Sequence, residues 1–431
     1  MLDRAATLLK IERSEAPAVI AGVAMFFLLF TGYFMLRPVR ETMGIAGGIE
    51  NLQWLFTATF VATLVALPLF GWIASKVPRR QILAWTYGFF IVNLLCFAVL
   101  FFRNVDDLWA ARTFYVWLSV FNLLAISLAW SVLVDLLAVP EAKRLFAIIA
   151  AGASLGGLAG PVLGTLLVAP IGHSGLVGLS ALFLGGSATL AEFLHRWRDR
   201  HPVERPEQLT RAEPLGGNAL AGATDVFRSG YLTMIALFVV LLAVVTTFLY
   251  FEQARLVKET FPDKVQQTQV FGLIDIAVQS LTLAVQVLLT GRIATRFGIG
   301  ALLVCVPLIM AAGFVWLAVA PVFAVLAFVM IVRRVGEYAL VRPGREMLFT
   351  VVSAEQKYKA KNFIDTAVYR GGDAVGGWIK RGLDVLADHP AAAMLIGAGV
   401  ALMWALSGGY LSRRQLEKDR QLRGPTAAAQ A

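Results

Sequence analysis

The chain has 431 residues, of which 58% are hydrophobic and only 15% charged, and its mean hydropathy is +0.72. Soluble domains hold about 45–50% apolar and about 25% charged residues, so this composition excludes a soluble fold and indicates a membrane protein. The net charge of +10 is accounted for by topology and by anionic lipid on one face, and implies no nucleic-acid partner.

A spanning helix needs about 20 apolar residues. Twelve segments qualify in chain order: 16–36, 52–74, 82–102, 109–137, 146–169, 175–194, 231–251, 270–290, 299–319, 321–341, 362–387 and 391–411. In lipid the backbone must satisfy its own hydrogen bonds, so these are helices, and the absence of strand-like alternation argues against a barrel. Before the first span lies a short charged stretch with Arg4, Lys10 and Arg13, which lacks the layout of a cleaved signal peptide. With both termini cytoplasmic, the inner segments also hold Lys76, Arg79 and Arg80, then Lys143 and Arg144, then the run from Arg196 to Arg211. Arg292 and Arg296, Arg342 to Lys359 and Arg413 to Arg423 follow. The opposite loops, such as His173-Ser174 and Ala320-Pro321, are short and almost free of basic residues, as the positive-inside rule requires. Lys380 and Arg381 are mild exceptions. The expectation is a multi-pass protein of a bacterial inner membrane, with membrane lipids around it.

Residues 195–230 form the one long polar segment between spans, with several prolines and Gly216-Gly217. They divide the chain into a six-helix half at 1–194, a cytoplasmic linker at 195–230, a second six-helix half at 231–412 and a tail at 413–431. Cys96 and Cys305 lie inside apolar helices and are expected to be packing residues rather than a disulfide or metal site.

The two halves repeat each other. Arg37-Pro-Val-Arg40-Glu41-Thr42 recurs as Arg255-Leu-Val-Lys258-Glu259-Thr260, 218 residues on, each copy following a long apolar run. Gly71-Trp-Ile-Ala-Ser-Lys76 recurs as Gly291-Arg-Ile-Ala-Thr-Arg296. The fold class is therefore an all-α membrane protein of twelve helices in two pseudo-symmetric halves, and charges at equivalent points of two halves suit a transporter with a central site.

Further charges sit within the spans, where each basic group costs about 2.5–3.5 kcal/mol on insertion scales. They are Arg112 and Asp135, Glu252, Asp275, Arg333, Arg334 and Glu337, then Asp365, Arg370, Asp373 and Lys380. Arg37, Arg40 and Glu41 share a helix face, as do Glu252, Arg255 and Glu259. Arg370 with Asp373, and Arg333 with Glu337, have the spacing of pairs that neutralise themselves. Basic groups outnumber acids in the first cluster, which favours a small anionic substrate held by arginine. Tyr33, Phe34 and Trp130 are candidates to stack a ring or simply to pack. Glycines at 152, 156, 157 and 160, and at 371, 372, 376 and 377, suit close helix approach. Asp275 and Glu337 are candidate proton carriers; Lys76, Arg79, Arg80 and Arg296 are candidates for a cytoplasmic gate. Nothing suggests an enzyme, a metal or a cofactor, and the lack of a Walker pattern makes ATP at most cargo.

The 6+6 layout with a central linker resembles the major facilitator superfamily. Its motif G-x-x-x-D-R-x-G-R-R is echoed by Gly71, Lys76, Arg79 and Arg80, with Ser75 at the Asp and Pro78 at the inner Gly. Within that layout the chain resembles the non-mitochondrial ATP/ADP translocases, or nucleotide transport proteins. The resemblance rests on Tyr33-Phe-Met-Leu-Arg37-Pro-Val-Arg40-Glu41, on Trp130, Asp135 and Ala142-Lys-Arg-Leu-Phe146, and on Pro343-Gly-Arg345-Glu346, Lys361-Asn-Phe-Ile-Asp365 and Tyr369-Arg370-Gly-Gly-Asp373. It implies nucleotide exchange with Arg40, Glu252 and Lys361 at nucleotide-binding positions, and the superfamily layout works as a monomer. Arg37, Arg40, Arg255 and Lys258 are the groups expected to attract phosphate or carboxylate, with Glu41, Asp135 and Arg370 as further candidate substrate-binding residues. The family's Glu before a Trp in helix four is missing, because Trp117 follows Tyr115 and Val116, and Asp373 stands where the family has Lys. Two other readings stay open: a proton-coupled transporter of another metabolite or drug, and a lipid-moving relative.

Overall fold

The computed structural model describes residues 15–137, 139–201, 222–386 and 390–423. The N-terminal basic stretch, most of the linker and the last residues of the tail lie outside them. The described residues are helical, with no strand. In our numbering α1 is Ala16–Ala46, α2 Leu52–Lys76, α3 Arg79–Arg103 and α4 Leu108–Leu136. The stretch Val139–Arg200 breaks at Gly172, whose φ of 67° only glycine adopts without strain, and so makes α5 (139–171) and α6 (173–200). After a short helix at Ala223–Arg228 comes α7, Gly230–Thr260. The next stretch starts at Lys264 and breaks at Gly298 (φ 72°), giving α8 (264–297) and α9 (299–319). Then follow α10 from Phe323 to Leu348, α11 from Ala354 to Leu386 and α12, Pro390–Arg423. The twelve helices expected from the apolar runs are all present.

Eight helical stretches are long and apolar enough to cross a membrane, two of them being the broken pairs α5/α6 and α8/α9. The charges on α10 and α11 keep those two helices below the same measure. Side-chain caps begin several helices: Asp107 accepts from the Ala110 N–H at 2.7 Å to start α4, and Ser229 and Ser353 do the same for α7 and α11. Three π-helical turns interrupt α8, α10 and α11, at Gln286–Thr290, Glu337–Val341 and Ile364–Val368. A π turn displaces carbonyls from the regular ladder. Two of them are met across the helix pair: Gln286 donates to Tyr338 O (3.2 Å) and Thr290 to Ala339 O (2.8 Å).

The described residues cluster into two compact units, each given by the bounds within which its described residues fall. One comprises Met1–Gly47, Ala66–Gly216 and Asp263–Ile276; the other comprises Gly48–Val65, Gly217–Pro262 and Ala277–Ala431. In the first, α1 lies directly on α5. A Cβ on Gly156 would come within 2.5 Å of Phe27 O, and one on Gly160 within 2.7 Å of Thr31 O, so the two backbones touch through a glycine stripe. Phe90, Phe97, Phe114, Trp117 and Phe121 fill the space between α3 and α4, with Trp117 stacked on Phe121 at 5.2 Å. In the second unit, Gly372 and Gly376 of α11 let it approach Val240 and Val244 of α7 in the same manner. The duplication therefore extends to how the glycine helices pack. Valine at Gly156 is expected to push α1 off α5 at a cost of about 1–3 kcal/mol or more; a monodisperse, correctly inserted Gly156→Val protein with unchanged melting would contradict this packing.

Large apolar side chains such as Trp72, Trp85, Phe102 and Trp109 point out of the units, as lipid-facing residues do. Cys96 and Cys305 are free and also exposed. This corrects the expectation that they pack inside: each sits on an outward face of its helix.

Candidate functional site

Arg37 and Arg40 stand one turn apart on α1, each about one-sixth to one-fifth exposed (18% and 17% of the side chain). Arg37 Nε lies 3.9 Å from Asp275 Oδ2 of α8, and its guanidinium rests 6.0 Å from the Phe34 ring centre. Arg40 pairs with Glu41, reaches the Ser119 hydroxyl of α4 at 3.4 Å and lies 5.2 Å over the Tyr115 ring. Two guanidinium groups, two carboxylates and two aromatic faces thus share one region of the first unit. Asp275 thus cancels the basic excess of the first helix, and the cluster is formally neutral, with two guanidinium forks of donors each beside a ring. Ser119 and Tyr115 carry no sequence signal, since a lone polar residue in an apolar helix looks the same whether it packs or binds.

Asp135 is not among these groups. It lies sixteen residues beyond Ser119 on α4, about 24 Å along the axis, within electrostatic reach of His195 on α6. That end of the unit is where Arg80 pairs with Asp199 (3.0 Å) and Glu192 (3.4 Å), Arg144 with Glu15 (2.7 Å) and Arg198 with Glu141. Of the proposed gate residues, Arg80 is thus engaged with α6, Lys76 is exposed, and Arg296 lies over Phe297 at 5.4 Å. The side chain of Arg79 lies outside the described residues. Tyr33 and Phe34 contact each other edge to face at 5.1 Å, and Trp130 packs between Phe26 and Phe146. Packing accounts for these rings as they stand.

Most of the charges within the helices of the second unit stand in ion pairs. Arg255 is gripped by the buried Glu252 and by Glu259, whose oxygens lie 3.0 and 3.1 Å from it. Lys258 is exposed at the end of α7. Arg333 and Glu337, both less than a tenth exposed, pair at 2.8 Å, with Thr246 taking a further bond from Arg333 at 3.0 Å. Arg370 reaches the buried Asp373 at 3.4 Å. Arg345 pairs with Asp365 at 2.9 Å, and Lys361 with Glu346 at 2.6 Å; these two bridges tie α10 to α11. Lys380, buried, pairs with Asp384. Among the described residues no cluster of His, Cys, Asp and Glu is placed to hold a metal.

Among the described residues, twelve long helices with glycine-stripe packing in each unit and buried ion pairs define a polytopic membrane protein. The family model described as the Major Facilitator Superfamily matches residues 18–341, and the chain belongs to that superfamily. No curated protein sequence matches it. Among solved structures it is similar to a bacterial homologue of the iron transporter ferroportin in its inward-facing state (TM-score 0.63, 14% identity, 95% of this chain and 99% of that one). It is also similar to the nucleoside transporter NupG (0.59, 15%, 93% and 99%) and to the human organic anion transporter MFSD10 (0.59, 16%, 92% and 100%). At these identities the likeness is one of fold.

Proposed function

We propose that this transporter moves a small anionic solute, phosphorylated and of the nucleotide kind, across a bacterial inner membrane by alternating access. The observation that supports it is the pair Arg37 and Arg40, held on one face of α1 with part of each head exposed, each beside a carboxylate and an aromatic face. An incoming phosphate or carboxylate competes with Asp275 and Glu41 for these heads through charge-assisted bonds. Arg255 and Lys258 are the equivalents in the second half, and Lys361 and Arg370 on α11 serve the anion as it passes. The halves rock about the site while Lys76, Arg79, Arg80 and Arg296 open and close at the cytoplasmic face. The protein works as a monomer with both termini inside. That NupG carries a nucleoside and MFSD10 an organic anion fits this reading at the level of the fold.

A second reading has its own observation. Asp275 and Glu337 are buried and each faces an arginine, which is also how a proton-coupled carrier holds its acid. A lipid-moving relative would use the same arginines on a phospholipid head.

Uptake of labelled ATP into proteoliposomes, with and without ADP inside, separates these readings. Uptake that needs internal ADP and is lost in Lys361→Ala supports nucleotide exchange. No uptake by folded, inserted protein overturns it. Uptake of another anion that collapses with an uncoupler selects proton coupling.

A further inference from the structure

One polar chain in the first unit is unused by the site above. It joins the turn between α5 and α6, the start of α8 and the end of α1. His173 follows the break at Gly172 and lies outside the predicted span 175–194; it is only 6% exposed. Its Nε2 lies 2.9 Å from the Thr268 hydroxyl, which lies 2.7 Å from the hydroxyl of Thr42. Both threonines are fully buried. Thr42 also donates to Pro38 O at 3.2 Å, and the direction of the protons between the ring, Thr268 and Thr42 follows the tautomer of the ring. One turn back, Lys264 closes the same seam, donating to Val105 O (2.8 Å) and to Asp106 (2.6 Å) in the turn between α3 and α4.

We propose that the chain His173–Thr268–Thr42 is a proton-sensitive clasp: water reaches and protonates His173 only when the first turns of α8 part from α1 and α6, so acid at that face favours the parted state. The inference rests on the reading above only in taking this face as the outer one.

The charged groups acting on the ring are Lys264 and Asp263, with Asp106 held on Lys264. Burial first, and then the Lys264 ammonium, push the imidazole down to about 4, while Asp263 and the backbone at Lys264 pull weakly the other way. In water the ring titrates near its ordinary value of about 6.5. A group depressed in the closed state supports closure fully above about pH 6.5 and loses that support as pH falls towards about 4. Asp106, held below the usual carboxylate range by its bond to Lys264, keeps its charge throughout the window tested here.

The test needs no substrate. Val265, half-buried beside Lys264, becomes a reporter as Val265→Cys in a Cys96→Ser, Cys305→Ser background, alkylated by a membrane-impermeant maleimide. The rate is divided by that of the same reporter carrying His173→Gln, which keeps a donor for Thr268 but does not titrate; the ratio cancels thiol chemistry. The ratio is expected to rise about tenfold from pH 7.5 to 5.5. Equal pH profiles in the two backgrounds overturn the proposal. Thr268→Val, which cuts the chain and leaves His173 in place, is expected to raise labelling at pH 7.5 and flatten the pH dependence; native behaviour in that variant overturns it as well. Failure of ATP uptake would leave these outcomes unchanged, so the clasp and the substrate are tested separately.

Discussion

Glutamine at Arg40 is expected to raise the KM for the proposed anionic solute by about 100-fold while the protein still inserts and folds. Removing one partner of a partly buried charged hydrogen bond costs about 2–5 kcal/mol, and each 1.4 kcal/mol is a factor of ten. Arg40 sits with only 17% of its side chain exposed, against Glu41, Ser119 and Tyr115, so little water compensates for its loss. A trivial cause must be separated: without Arg40 the Glu41 carboxylate, 11% exposed, is left without this partner, and the orphaned charge could itself distort α1. Arg40→Gln with Glu41→Gln removes both charges. If the loss reflects anion binding, the double variant transports as poorly as the single one. If it reflects the orphaned acid, the double variant recovers and Arg40 is a structural brace. Proteoliposome uptake over a range of substrate concentrations reads the difference. Arg37→Gln, alone and with Asp275→Asn, applies the same logic one turn earlier.

The fold was legible because lipid makes the strongest demand that sequence records. Twelve apolar runs, a basic bias in alternate loops and two phrases repeated 218 and 220 residues on leave few other architectures. The glycines at 156, 160, 372 and 376 were legible for the same reason: small residues at helical spacing signal backbone contact, and each meets a neighbouring helix. Helical spacing also gave Arg333–Glu337, Arg370–Asp373 and the grip of Glu252 and Glu259 on Arg255, since those partners lie on one helix. It fails for partners on different helices, because periodicity says which face a residue occupies and nothing about what lies opposite. Asp275 beside Arg37, Ser119 under Arg40 and Thr268 against His173 are all of that kind. Asp135 illustrates the converse. Its place in an apolar run resembles that of Arg37, yet its depth along α4 sets it with His195 at the basic end.

Alanine at Glu337 is expected to be the most destabilising single change in the second unit. Arg333 and Glu337 are each less than a tenth exposed, and the 2.8 Å bond between them is supported by Thr246. Truncating Glu337 leaves the Arg333 guanidinium buried with a hydroxyl in place of its carboxylate, and breaking such a pair costs about 3–5 kcal/mol. The midpoint of thermal unfolding in detergent should fall by on the order of 10 °C. Replacing both members, as Arg333→Met with Glu337→Leu, removes the unpaired charge and should return most of the loss, since buried pairs exchanged for apolar groups of similar volume are often neutral or stabilising. The two results together decide what the pair is for. A large drop in Glu337→Ala, recovery in the double variant and intact transport would make the pair a brace between turns of α10, placed where the π turn at Glu337–Val341 weakens the helix ladder. A stable double variant that no longer transports would mean that the charges are kept for the solute or its coupling ion. A drop below about 1 kcal/mol in Glu337→Ala would mean that water already reaches Arg333, and the pair would then line the path rather than the core.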